Sequence, residues 1–195
     1  MRIPVTKKGF FCFKKGDVVK QAKLTIRDAT EADVEAIVAM HDQSWLDTYP
    51  NDGAGVSREW VKERVGKWQD PEKLEARRAQ IRQSGQGKDM IYRIAKDEYG
   101  KVVGLISPHR DEKTQRVGAI YVEKQYHGTG LAQKLMDEII VWADPHRPLE
   151  LEVASYNERA KAFYRKYNFK EIEHSEHTVH EVIPVITMIR KGDKQ

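Results

Sequence analysis

Tyr126-His127-Gly128-Thr129-Gly130-Leu131-Ala132 joins the two patterns that decide this fold. Ahead of it, Val117 and residues 119–122 read as an apolar strand. Behind it, Leu131, Ala132, Leu135, Met136, Ile139 and Ile140 recur at i, i+3, i+4 spacing, the buried stripe of a helix over 128–142. A strand that runs through two glycines into a helix start leaves backbone N–H groups facing outwards. The glycines let the backbone approach a ligand closely, and the helix dipole adds positive potential. Such a turn suits a pyrophosphate. Two familiar nucleotide fingerprints do not apply, because no Gly-Lys-Ser/Thr is present and the third glycine of a dinucleotide turn is absent.

Further along, Leu149-Glu150-Leu151-Glu152-Val153 alternates as a strand, Asn157 follows, and a helix over 158–167 carries Phe163-Tyr164 before Asn168-Phe169. On these residues the chain resembles the GNAT family of acetyl-CoA-dependent N-acetyltransferases. The family's phosphate turn, Gln/Arg-x-x-Gly-x-Gly/Ala, is matched by 127–132, with His127 where Gln or Arg is usual. Its later signature is matched by Asn157, Phe163-Tyr164 and Asn168-Phe169. There Asn168 stands for the usual glycine, a tolerable exchange at a left-handed helix cap. The resemblance covers about residues 24–191.

The resemblance implies an α+β fold, with a mixed, mostly antiparallel central sheet, helices on both faces and two central strands that splay apart. It implies acetyl-CoA as cosubstrate. Backbone groups of Ile120, Tyr121 and Val122 would hold its pantetheine arm. The amides of His127, Gly128, Thr129, Gly130, Leu131 and Ala132, with Gln133 at the edge, would take its pyrophosphate. His127 either adds charge to a phosphate or points to solvent. Asn157 caps a helix and, in the family, also hydrogen-bonds the arm. Tyr164 matches the family tyrosine near the cofactor sulfur, the general acid for the departing thiolate. Phe163, Tyr164 and Tyr167 also read as an aromatic core stripe. Glu152 occupies the position of a proposed catalytic glutamate in ribosomal-protein N-acetyltransferases. A buried ion pair, or proton loss through water without a dedicated base, fits it as well. The histone-type base position is filled by Arg116.

Composition agrees with one such domain. The chain has 195 residues, 39% hydrophobic and 33% charged, enough for a core without staples. Its single cysteine, Cys12, allows no intrachain disulfide and fits a reducing cytoplasm. No apolar run reaches membrane-spanning length, and 10–13 is too short for a signal-peptide core. The net charge of +4 is spread among interleaved acids and bases, which argues against a nucleic-acid stripe. Residues 1–23 read as a basic arm and 24–195 as the domain, a monomer or a homodimer. The order expected is a strand at 24–27, a helix capped by Thr30, a second capped by Ser57, and a third started by Asp70-Pro71. Strands at 90–96, 101–107 and 116–122 come next, then the 128–142 helix, the strand at 149–153, the helix at 158–167, and strands near 170–177 and 182–190.

The acceptor is expected to be a primary amine of a small molecule, polyamine-like members included, or of a peptide. Ser44, Trp45, Asp47, Tyr49 and Asp52 would supply aromatic faces and carboxylates to it. His174, His177 and His180 lack regular ligand spacing and a cysteine, so no metal site is expected. The alternative function is a GNAT-like module that binds CoA as a sensor or scaffold without turnover.

Overall fold

The computed structural model describes residues 23–193, so the expected arm over 1–23, with Cys12, lies outside the described residues but for its last position. Strand β1 (Thr25–Asp28) pairs antiparallel with β2 (Arg93–Lys96), which pairs with β3 (Val102–Ile106), which pairs with β6 (Ile120–Val122). Between β1 and β2 lie three helices, α1 (Val34–Thr48), α2 (Arg58–Gly66) and α3 (Pro71–Ser84). Their starts follow local chemistry. The Asp33 carboxylate accepts from the Thr30 amide at 2.9 Å and its hydroxyl at 2.8 Å ahead of α1. The Ser57 hydroxyl accepts from the Trp60 amide at 3.1 Å, and Pro71 opens α3.

A second sheet runs β4 (His109–Arg110), β5 (Gln115–Arg116), β7 (Leu149–Ala154), β10 (Ile183–Arg190) and β8 (Lys170–Glu171), with β9 (His177–Val179) also on β10. Helix α4 (Leu131–Trp142) precedes β7, and α5 (Glu158–Arg165) follows it. All pairs are antiparallel except β5 with β7. Helices cover the first sheet on both faces. Ile120 and Val122 pack into the core that holds Leu131, Leu135 and Ile139 of α4, whereas Tyr121 packs with Ile37 and Val38 of α1. This is the mixed α+β, splayed arrangement expected.

Three expected elements differ. The strand expected over 116–122 is two strands in two sheets. Gly118 sits between them at φ 63°, and a Cβ there would lie 2.3 Å from the Ser107 carbonyl oxygen. The chain therefore turns from one sheet to the other at a point that only glycine fits. The helix expected from 128 begins at Leu131, because Gly128 and Gly130 adopt φ 81° and 88°. The strand expected over 170–177 breaks into β8 and β9 around His174, itself at φ 58°. Asn168 takes φ 65° and ends α5 as its sequence position anticipates.

Candidate functional site

Hydrogen-bond alternation shows where the two sheets part. Ser107 N–H donates to Ala119 O, and Glu123 N–H to Val103 O, so Tyr121 sits opposite Leu105 in a hydrogen-bonded pair. The N–H and C=O of Ile120 and Val122 point away from β3. Across the gap, Ser155 N–H donates to Pro184 O, which fixes the odd-numbered residues of β7 on β10. Glu150, Glu152 and Ala154 thus turn their backbone groups to the other edge. Glu150 O accepts from Val117 N–H at 2.8 Å. Beyond the bridge of Arg116 with Glu150, β6 and β7 share no ladder, which leaves their facing edges without a sheet partner among the described residues. An extended chain with its own amides would complete both edges. Tyr121 differs from the sequence expectation here, since its backbone is committed to Leu105 and it offers the gap only its side chain.

A cavity of about 400 Å³ occupies this opening. Ile120, Tyr121, Val122, His127, Gly128, Ala132, Gln133, Glu152, Asn157 and Tyr164 all line it, so the structure gathers most of the expected site residues in one place. Thr129, Gly130 and Leu131 lie along the same turn, although their side chains do not form the wall. The turn itself is narrower in donors than expected. His127 N–H donates to Lys124 O and Thr129 N–H to Tyr126 O. Helix α4 makes its first bond from Lys134 N–H to Gly130 O, so the amides of 130–133 precede any intrahelical partner. No heavy atom lies within 4 Å of a Cβ built on Gly128 or Gly130. The turn is an open cradle.

His127 follows neither alternative set out for it. Its Nε2 lies 3.0 Å from Val122 O, and its Nδ1 faces the Arg159 guanidinium. Burial first, and Arg159 second, hold its pKa below the ordinary histidine value. The ring is neutral, and the cation beside the turn is Arg159, which also lines the cavity. Sequence reasoning missed Arg159 because periodicity places it only on the first turn of α5. Lys166, the residue that closes α5, was missed as well.

Asn157 caps α5, its Oδ1 accepting from Ala160 N–H at 3.0 Å, which leaves the amide NH₂ free to donate. Tyr164 is 9% exposed and packs edge-on against Phe163 and Phe169. Burial, and then the neighbouring Tyr121, push its hydroxyl well above the ordinary tyrosine range, so it stays protonated. Glu152 is not part of a buried ion pair. Its side chain is 40% exposed, with His177 Nε2 at 3.3 Å and Arg116 at 3.9 Å. It is the one carboxylate among the described residues of the cavity wall.

The acceptor cluster expected at α1 is only partly assembled. Tyr49 and Thr48 line the cavity and Trp45 is buried behind them. Asp47 belongs to a separate surface cleft with Lys101 and Glu123, and Asp52 is exposed on the following turn. His41 escaped notice in the sequence. It is buried, its Nε2 accepts from Trp45 Nε1 at 3.0 Å, and burial lowers its pKa to about 3. His180 stands 5.6 Å from Trp45, with Arg64 at 2.7 Å from its Nδ1. Among the described residues no three His, Cys, Asp or Glu side chains group to hold a metal, and no helix is long and apolar enough to cross a membrane.

Comparison with known proteins gives one family and one fold. A family model described as an acetyltransferase (GNAT) domain matches residues 49–191. The structure is similar to an acetyltransferase of the GNAT family from Streptococcus pneumoniae (23% identity, 86% of this chain and 99% of that one, TM-score 0.65). It is similar also to the PaiA N-acetyltransferase from Thermoplasma acidophilum, determined in complex with coenzyme A (21%, 85% and 98%, 0.66). A ribosomal-protein-alanine N-acetyltransferase from Brucella melitensis superposes comparably (22%, 86% and 99%, 0.62). No curated protein sequence matches the chain. At these identities the structural likeness establishes the fold.

Proposed function

This chain belongs to the GNAT acetyltransferase family, with acetyl-CoA as its cosubstrate, and from that premise we propose that it acetylates a primary amine in the gap between β6 and β7. The observation that carries this reading is the distribution of charge around one cavity. Arg159 and the open amides of 130–133 lie at the glycine turn, and Glu152, the one carboxylate among the described wall residues, lies on β7 beside Arg116 and His177. Phosphates belong at the first place and an ammonium at the second.

When bound, acetyl-CoA supplies an activated thioester. The free backbone groups of Ile120 and the Val122 N–H would hold its arm as an added strand, the Val122 carbonyl being engaged by His127 Nε2, and the Asn157 NH₂ would reach it from the opposite wall. Gly128 and the amides of 130–133 cradle the pyrophosphate. Leu131, Ala132 and Gln133 contribute as the first turn of α4, while the Thr129 and His127 amides shape the turn instead of donating. Arg159 adds the charge that His127, held neutral, does not.

Glu152 attracts the incoming ammonium and removes one proton, directly or through water, because only the neutral amine attacks. The new C–N bond forms as the C–S bond breaks. The Tyr164 hydroxyl gives its proton to the departing thiolate and is restored, through water, by the second proton that the acylated nitrogen sheds. Glu152→Gln keeps shape and hydrogen bonding but removes basicity. It is expected to lower kcat/KM on the order of 10²-fold, most at low pH where the amine arrives protonated. His174→Ala, which neither lines the cavity nor pairs with Glu152, serves as the comparison. An unchanged pH–rate profile in Glu152→Gln would remove Glu152 from the mechanism.

A further inference from the structure

Tyr49 and Tyr121 share a proton count that does not close among the described residues. Their hydroxyls lie 2.9 Å apart, and Trp45 Nε1 lies 3.1 Å from the Tyr121 hydroxyl. Two hydroxyls carry two protons, and the bond between them uses one. The single indole N–H, which also faces His41 Nε2 at 3.0 Å, is a donor and so fills at most a lone pair of Tyr121. Whichever tyrosine donates to the other, one hydroxyl proton is left over. Burial raises both phenols above their ordinary range, so neither is lost by ionisation. Both side chains line the cavity.

The pair is also held still. Tyr156 donates to the Tyr49 carbonyl at 2.7 Å, and the Trp45 and Tyr49 rings sit 4.4 Å apart. A half-buried, fixed donor without an acceptor among the described residues is a recognition element, since a ligand that closes over it without accepting from it leaves it unsatisfied. Its position separates it from the cosubstrate's arm. Tyr121 projects from the face of β6 towards α1, opposite Ile120 and Val122, and the arm is served by backbone groups in the plane of the gap.

We infer that the leftover hydroxyl proton of the Tyr49–Tyr121 pair is donated to the acceptor, which therefore carries a carbonyl or carboxylate oxygen close to its reactive amine. Glu152 takes the nitrogen and the tyrosine pair takes the oxygen. This rests on the acetyl-transfer reading above and narrows it to aminoacyl-type amines over plain alkylamines.

The test uses the full chain with acetyl-CoA and two acceptors, glycinamide and propylamine, following thiol release. The wild-type protein should favour glycinamide in kcat/KM by on the order of tenfold or more. Tyr49→Phe and Tyr121→Phe are measured beside it, with thermal midpoints to identify any variant that fails to fold. In the variant that loses the leftover donor, the glycinamide-to-propylamine ratio should collapse through KM, whatever loss the two acceptors share. Equal use of both amines by the wild type overturns the inference and leaves acetyl transfer standing. A ratio unchanged in both variants overturns it too. A uniform fall in kcat for both acceptors assigns the proton to the thioester carbonyl instead. No thiol release with any amine sinks this inference and the acetyl-transfer reading together.

Discussion

Tyr164→Phe is expected to lower turnover on the order of 10²–10⁴-fold while the protein stays folded. The ring is 9% exposed and wedged between Phe163 and Phe169, at centroid distances of 5.5 and 6.0 Å. Phenylalanine retains all of that packing. What it loses is the hydroxyl at the cavity wall, kept neutral by burial. A thiol titrates near pH 8.5 in water, so a departing thiolate needs a donor at neutral pH. A tyrosine whose acidity is suppressed gives that anion a hydrogen bond at every physiological pH. Single-turnover thiol release reads the chemical step, and a thermal melt reads the packing. If the phenylalanine variant keeps the parent's rate, Tyr164 belongs to the aromatic core alone.

The second large effect concerns the glycine turn. Gly130→Val is expected to weaken acetyl-CoA binding by on the order of 100-fold, about 2.7 kcal/mol. Gly130 adopts φ 88°, so a β-branched residue there strains the backbone by about 1–3 kcal/mol. The strain is separable from the binding loss. No protein atom lies within 4 Å of a Cβ at Gly130, so the added methyl groups enter the open space before the amides of 130–133. Gly55→Val provides the control. Gly55 has φ 73° and equally empty surroundings, but it lies outside the cavity wall. Both variants should lose similar stability, and only Gly130→Val should lose affinity by calorimetry. Equal affinities would place the pyrophosphate elsewhere.

The turn was legible because its chemistry is local. Two glycines between an apolar strand and an amphipathic helix specify backbone geometry without reference to the rest of the chain. Asn157 and Asn168 were legible for the same reason, one as a cap and the other as a left-handed stop. The division of 115–122 between two sheets was not. It depends on the approach of Gly118 to Ser107 O, a contact between segments that composition cannot reveal. Arg159 and His127 meet across 32 positions of sequence, and Tyr49 reaches Tyr121 across 72. Such pairs decide which residue carries charge and which hydroxyl is left over, and they exist only once the sheets are assembled. Glu152 was found for its alternating strand, yet alternation says which face a residue takes and not whether that face is covered. Here it is partly open, and Arg116 and His177 share it.

The central claim is turnover on an amine. Its most direct measurement is thiol release from acetyl-CoA in the presence and absence of a primary-amine panel, with the products weighed by mass spectrometry. Release that depends on the amine, one thiol for each N-acetylated product, is the expected result. Tight acetyl-CoA binding with no amine-dependent release, and no acetylated product from any of the panel, would contradict it and mark the chain as a binding module.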